Sequence, residues 1–151
     1  MRTSLLLTPL LARLVLGTTI CAVVYREGVV LGADSRSTGG GLVVGKDTGK
    51  VRRVGPAAAL AGAGVSAECA QVARRLGREL ALGRLSDQLA GETAPDSEGL
   101  LVRTLRQIVR SRRGGESVFL LGAVCPAGPR VFLVHSSGAE EAVHLGAFGS
   151  G

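Results

Sequence analysis

Aromatic side chains are scarce in this 151-residue chain: no tryptophan, one tyrosine (Tyr25) and three phenylalanines. A protein that grips single-stranded nucleic acid needs rings interleaved with cations, so that bases can stack. The basic balance, 18 Lys and Arg against 12 Asp and Glu, therefore does not point to a nucleic-acid partner, and most of the arginines fall at helical spacing. Cysteine is also sparse. Cys21, Cys69 and Cys125 are an odd number, widely scattered and without a CxxC pair. That argues against a disulfide frame or a zinc site and suits small buried hydrophobes in a reducing compartment. His135 and His144 have no acidic or cysteine partner at ligand spacing, so each reads as a strand residue and no metal or cofactor is expected. Long apolar runs are missing as well. The leader MRTSLLLTPLLARLVLG is interrupted by Arg13 and falls far short of the roughly 20 residues that span a bilayer. No membrane partner is expected. By itself the leader fits a short secretion signal or a removable propeptide equally well.

With so few rings the core must be aliphatic, and 46% of the residues are hydrophobic. One domain of this length can bury such a core. After the leader, β-branched runs at 19–24 (TICAVV) and 28–31 (GVVL) flank a compact turn at Tyr25-Arg26-Glu27. Further short runs at 43–44, 51–54 and 57–61 extend what reads as a β-meander. From Ser66 to about Leu85 the period becomes helical, with Cys69, Val72, Ala73, Leu76, Leu80 and Leu85 on one stripe. Ser66 reads as the N-cap, with Glu68 in the first turn. A polar stretch through Gly91 and Pro95 precedes a second helix, opening at Asp96 or Ser97 and running to about Arg112. Its apolar face is Leu101, Leu105, Ile108 and Val109. Strands return at 117–124, 130–135 and 142–148. The first two of these are almost continuously apolar, which requires cover on both faces. Strands, two helices and strands again make an α+β domain in which helices cover sheet.

Gly17-Thr18-Thr19 is the candidate for chemistry. Most threonines at a strand start are only β-formers, a lone Lys or Asp is usually solvated, and Gly-x-Gly is usually a turn. A different reading gives each a job. Cleavage after Gly17 would free the α-amine of Thr18, whose pKa near 7.7–8.0 lets it accept the proton of the neighbouring hydroxyl. Lys50 would supply a cation if strand pairing returns it to Thr18, and Asp34 would balance that charge. The turn Gly62-Ala63-Gly64, before the first helix, offers backbone N–H groups to an oxyanion.

The order of these stretches, GTT, then GVVLGADSRST, then GK at 49–50, then AGAGVSAE at 61–68, resembles the catalytic β-type subunits of the 20S proteasome, which are N-terminal nucleophile hydrolases. The likeness is closest from Gly17 through the first helix, loosens beyond it and returns at GAFGSG, 146–151. It implies a four-layer αββα sandwich, a propeptide at 1–17 removed at the Gly17–Thr18 bond, and a peptidase domain over 18–151. It also implies a threonine endopeptidase acting on unfolded polypeptides, without cofactor or metal. Its partners would be other α and β subunits in stacked seven-membered rings, in cytoplasm and nucleus. By the same resemblance Thr18 is the nucleophile, Lys50 the local cation, Asp34 its counterion and Arg36 a brace. Gly64 binds the oxyanion and Ser150 supports the Thr18 amine. Thr38, Gly62 and Ala63 line the substrate pocket. The open Gly62 position suits basic or broad specificity, with Glu68 as a possible negative end, although acid-cleaving subunits share the N-terminal wording. The family continues beyond a Gly-Ser-Gly like the one at 149–151, so this chain is expected to be incomplete. The rival expectation is a truncated or non-catalytic subunit that contributes ring contacts only.

Overall fold

The structure, a computed structural model, describes residues 17–39, 42–89, 98–112 and 115–149. Strands β1 (Thr19–Tyr25) and β2 (Gly28–Ala33) form a hairpin, and β10 (Leu145–Gly149) pairs antiparallel with the free edge of β1. A two-stranded ribbon, β3 (Ser37–Gly39) and β4 (Leu42–Gly45), follows. Then β5 (Val51–Gly55), β6 (Ala58–Ala63), β7 (Val118–Cys125), β8 (Gly128–Val134) and β9 (Glu140–Val143) make a five-stranded antiparallel sheet in sequence order. Helices α1 (Ser66–Leu89) and α2 (Glu98–Arg110) fill the connection between β6 and β7. The expected meander is therefore split among three sheets. Its hairpins form locally, but each joins whichever apolar face can cover it.

The five-stranded sheet is buried on both faces, as its apolar runs require. One face carries Leu60, Phe119, Leu121, Phe132 and Val134 against Val72, Leu76 and Leu80 of α1 and Leu101, Leu105 and Ile108 of α2. The other carries Ala61, Leu120, Val131 and Leu133 against Ile20 and Ala22 of β1, with Val29 and Leu31 of β2 packed around them. Gly122 lets the sheets approach: a Cβ there would stand 2.8 Å from Val29 Cγ1 and 2.9 Å from Leu31 Cδ1. The result is helix on sheet on sheet. The outer face of the three-stranded sheet is open among the described residues, with Val23, Val30 and Leu145 at 40%, 54% and 74% exposure. The α+β mixture is as expected; a second helical layer is not among the described residues.

Several boundaries differ from the sequence reading. The run 142–148 is two strands, not one: the chain leaves the large sheet at His144 and joins the small one, where the His144 carbonyl accepts the Val24 amide at 2.9 Å. Periodicity cannot reveal such a crossing, because both halves are apolar. Ser66 is the first helical residue rather than the cap, and the Val65 carbonyl accepts the Cys69 amide at 3.0 Å. Helix α1 runs on to Leu89, so Leu85 is exposed rather than part of the buried stripe. The proposed starts of α2 at Asp96 or Ser97 lie outside the described residues.

Leu120 is fully buried between the two sheets. Replacing it with alanine should cost about 2–5 kcal/mol, read as a lowered urea midpoint with an unchanged slope.

Candidate active site

The first hairpin builds half of the site. Its register pairs Ile20 with Ala33, so the next pair outward is Thr19 with Asp34. There the Asp34 amide donates to the Thr19 carbonyl at 3.1 Å, and the Thr19 amide donates back to Asp34 Oδ1 at 2.7 Å. The Arg36 amide donates to Oδ2 at 3.0 Å. The carboxylate is thus fixed beside the start of β1, with Thr18 immediately before it. Arg36 acts through its backbone, while its side chain is exposed.

Lys50, just ahead of β5, supplies the other half. Its Nζ donates to Asp34 Oδ1 at 2.8 Å, to Thr18 Oγ1 at 3.0 Å and to the Gly17 carbonyl at 3.4 Å. The Lys50 side chain is only 8% exposed, so three acceptors replace the water it has lost. Burial alone would raise the Asp34 pKa. The hydrogen bond from Lys50, the Thr19 amide, the lysine's charge and the Arg36 amide together outweigh it and hold the carboxyl below its ordinary 3.8.

Beside Thr18 opens a cavity of about 150 Å³. Ser37 and Thr38 of β3, Gly49, Lys50, Arg52 of β5, Gly62, Gly64 and the start of α1 (Ser66, Cys69) line it. Two glycines keep it open. A Cβ on Gly62 would come within 2.8 Å of Cys69 Sγ and 3.2 Å of Phe119 Cε1. Gly64 has φ +136°, in the region that disfavours side chains, and a Cβ there would meet Ser117 Oγ at 2.5 Å. Burial pushes the Cys69 thiol up from its ordinary value, so it stays neutral near neutral pH.

The family model described as "Proteasome subunit" matches residues 14–151. The chain belongs to the proteasome subunit family. It is 33% identical over 136 residues to "Proteasome subunit beta type-10" of Rattus norvegicus, covering 89% of this chain and 48% of that relative. To "Proteasome subunit beta type-2" of Saccharomyces cerevisiae it is 31% identical over 136 residues, covering 89% and 50%. To "Proteasome subunit beta type-7-A" of Arabidopsis thaliana it is 31% identical over 137 residues, covering 89% and 48%. The chain spans about half the length of these curated relatives.

Of the residues singled out in this proteasome-family sequence, Thr18 and Asp34 each meet Lys50, while Thr38, Gly62 and Gly64 join Thr18 around the cavity. Ala63 does not line the cavity. Alternation along β6 turns its methyl to the opposite face, where it packs on the inter-sheet core. Glu68 is not a wall of the cavity either, because it pairs with Arg112 at 2.7 Å and its side chain is only 10% exposed. Ser150 and the leader up to residue 16 lie outside the described residues. Arg52 and Cys69 were missed as cavity residues. The signal for Arg52 was its place two residues after Lys50, at the start of β5. Among the described residues no three His, Cys, Asp or Glu side chains gather as metal ligands, and no described helix is long and apolar enough to cross a membrane.

Because Asp34 has a lower pKa folded than unfolded, it contributes stability above 3.8 that is lost as the pH falls through the folded value. The urea midpoint of Asp34→Asn should therefore trail the parent at pH 7, and the gap should close as the pH is taken below 3.8.

Proposed function

We propose that the chain is a threonine-type endopeptidase subunit of the proteasome core, with Thr18 as nucleophile. The observation that carries this reading is the Lys50 ammonium, 3.0 Å from Thr18 Oγ1 and 2.8 Å from Asp34 Oδ1. A buried cation at that distance favours the alkoxide over the alcohol and holds the hydroxyl oxygen at the mouth of a cavity.

Residues 1–17 act as a propeptide, with 18–151 as the peptidase domain. While Gly17 acylates the Thr18 nitrogen, that nitrogen is an amide and cannot serve as base. The Gly17 carbonyl lies against the same ammonium, at 3.4 Å. Thr18 Oγ attacks that carbonyl carbon, the hydroxyl proton passes to the Thr18 nitrogen as the C–N bond breaks, and the Thr18 amine is released as Gly17 becomes an ester on Oγ. Water hydrolyses the ester, leaving Gly17 as a carboxylate and Thr18 as the new N-terminus. The free amine then takes the hydroxyl proton as Oγ attacks a substrate peptide carbonyl, and it returns the proton to the departing amine. Water again clears the acyl ester. The Gly64 N–H, on a left-handed turn before α1, stabilises the oxyanion, and Ser150 supports the amine. Thr38 and Gly62 border the substrate side chain.

The partners are other proteasome subunits in stacked rings, the substrate is unfolded polypeptide, and the compartments are cytoplasm and nucleus. Family membership supports each of these.

Intact-mass measurement of the protein purified in its assembled particle should find a chain beginning at Thr18. Thr18→Ala should keep the leader attached and abolish peptide hydrolysis. Lys50→Ala should slow hydrolysis about 10²–10³-fold, the range of one lost electrostatic contact to a reacting oxygen. An unprocessed Met1 start, with no hydrolysis by the parent, would replace this reading with that of a subunit contributing ring contacts only.

A further inference from the structure

Strand β6 runs past its neighbour on one edge. Strand β5 reaches no further than Val51, opposite Ala61, so the β6 edge at Gly62 and Gly64 faces the cavity instead of a strand. On its other edge β6 pairs with β7 as far as Ala63 and Val118. The Val124 amide donates to the Ala57 carbonyl at 2.9 Å, and every second pair of an antiparallel ladder bonds in this way. By that alternation the Ala63 carbonyl faces β7. The trans peptide that follows turns the Gly64 N–H the opposite way, towards the cavity edge. That N–H has no hydrogen-bond partner among the described residues.

Strand pairing fixes the direction of that N–H but not its depth. The register puts Ser117 opposite Gly64, one pair beyond Ala63 and Val118, in the kind of pair whose side chains stand closest. Both face the helical layer, because Phe119, two residues along β7, lies in the core under the helices. A Cβ on Gly64 would stand 2.5 Å from Ser117 Oγ and 2.9 Å from Ser117 Cβ, so Ser117 fills the space behind Gly64. Ser117 is 1% exposed, and its hydroxyl makes no hydrogen bond among the described residues. A hydroxyl buried without a partner is a cost, so what this side chain supplies is volume. Behind it stands the Cys69 thiol, in the first turn of α1. The neighbouring Glu68 is tied to Arg112 at 2.7 Å, which anchors the segment leading into β7 against the same turn.

We propose that Ser117 is a positioning residue for the reaction: it backs Gly64 from the helical side and keeps the Gly64 N–H at the depth of the oxyanion. This rests on the reading of Thr18 as nucleophile and adds a residue that touches neither substrate nor the reacting atoms. With the space behind Gly64 empty, the end of β6 can sink towards Cys69 and away from Thr18, and its N–H then meets the tetrahedral oxygen at too long a range. The donor acts on charge that develops only as the carbonyl is attacked. A misplaced N–H therefore lowers kcat and leaves ground-state binding alone.

The test uses the full chain in its assembled particle, as the parent and with Ser117→Ala, Ser117→Gly or Ser117→Thr. For a reporter peptide that the parent cleaves, kcat should fall from parent to alanine to glycine, as volume behind Gly64 is removed. Ser117→Gly should lose about tenfold or more, towards the ~10²-fold cost of an ångström's misplacement, with KM and the Kd of the cleaved product unchanged. Ser117→Thr crowds the same space with a methyl group and should also lower kcat; it is the variant to read if glycine prevents assembly. A peptide aldehyde, whose carbonyl oxygen becomes the tetrahedral oxygen when Thr18 Oγ adds to it, should lose affinity in step with kcat. An active parent whose variants keep kcat, or lose kcat and product binding together, would overturn the inference and leave the nucleophile reading intact. A cryo-EM map needs no hydrolysis: the Gly64 nitrogen should lie farther from Thr18 Oγ in Ser117→Gly than in the parent. That shift, found with a parent that cleaves nothing, would keep the placement by Ser117 and defeat the nucleophile reading. An unmoved nitrogen would overturn the placement whatever the activity.

Discussion

The ammonium of Lys50 is a charge withdrawn from water, and the site is organised around that cost. At 8% exposure, a lysine needs acceptors in place of its hydration, and it finds them in Asp34, Thr18 and the Gly17 carbonyl. A buried cation tolerates loss of a partner poorly, because the remaining charge then has no compensation. The start of β1, the end of β2 and the entry to β5 are therefore bound to one another more tightly than three loop ends ordinarily would be. Asp34 is the pivot. Its two oxygens accept from Lys50, the Thr19 amide and the Arg36 amide, so the counterion is itself immobilised. The lysine is thereby aimed at the hydroxyl.

The two sheets exist to hold those strand ends in place. Thr18 and Asp34 flank strand ends of the small sheet, Gly62 lies on β6 of the large sheet, and Lys50 and Gly64 flank that sheet's β5 and β6. The apolar layer between them, centred on Ile20, Ala22, Leu120 and Leu133, fixes the separation. Close packing leaves little freedom for that separation to vary, and Gly122 sets how near the sheets approach. At the same end of the small sheet, β10 pairs Gly149 with Thr19; Gly149 has φ +146°, and a Cβ there would collide with the Thr18 carbonyl. Backbone contact at 149 thus bears directly on Thr18. The helical layer contributes differently: α1 begins where β6 ends, so its first turn closes the cavity with Ser66 and Cys69.

Much of this was legible in the chain itself. Alternation and helical period placed the β1–β2 hairpin, the apolar face of α2 and the doubly covered strands β7 and β8, because local patterns report which faces are wet. Thr18, Asp34 and Lys50 were nameable because their residue types and order admit a specific chemistry and resemble a known family. Less legible were the sheet memberships. The single apolar run at 142–148 serves two sheets, and the early hairpins separate into different layers, since strand pairing between distant segments leaves no periodic trace. Ala63 and Glu68 failed as pocket residues for a related reason. A position's sequence neighbours do not say whether its side chain faces the cavity, the core or a remote partner such as Arg112.

The amino-acid sequence by itself determined the first hairpin, the two helices and their apolar faces, and which three side chains have residue types suited to such chemistry, because those properties depend on neighbours a few residues apart. Only the tertiary structure decided that Lys50 reaches across 32 residues to the Thr18 hydroxyl and that Glu68 is spent on Arg112. Distances and the pairing of charges depend on how two sheets and a helix pack together, and packing joins residues that no local pattern relates.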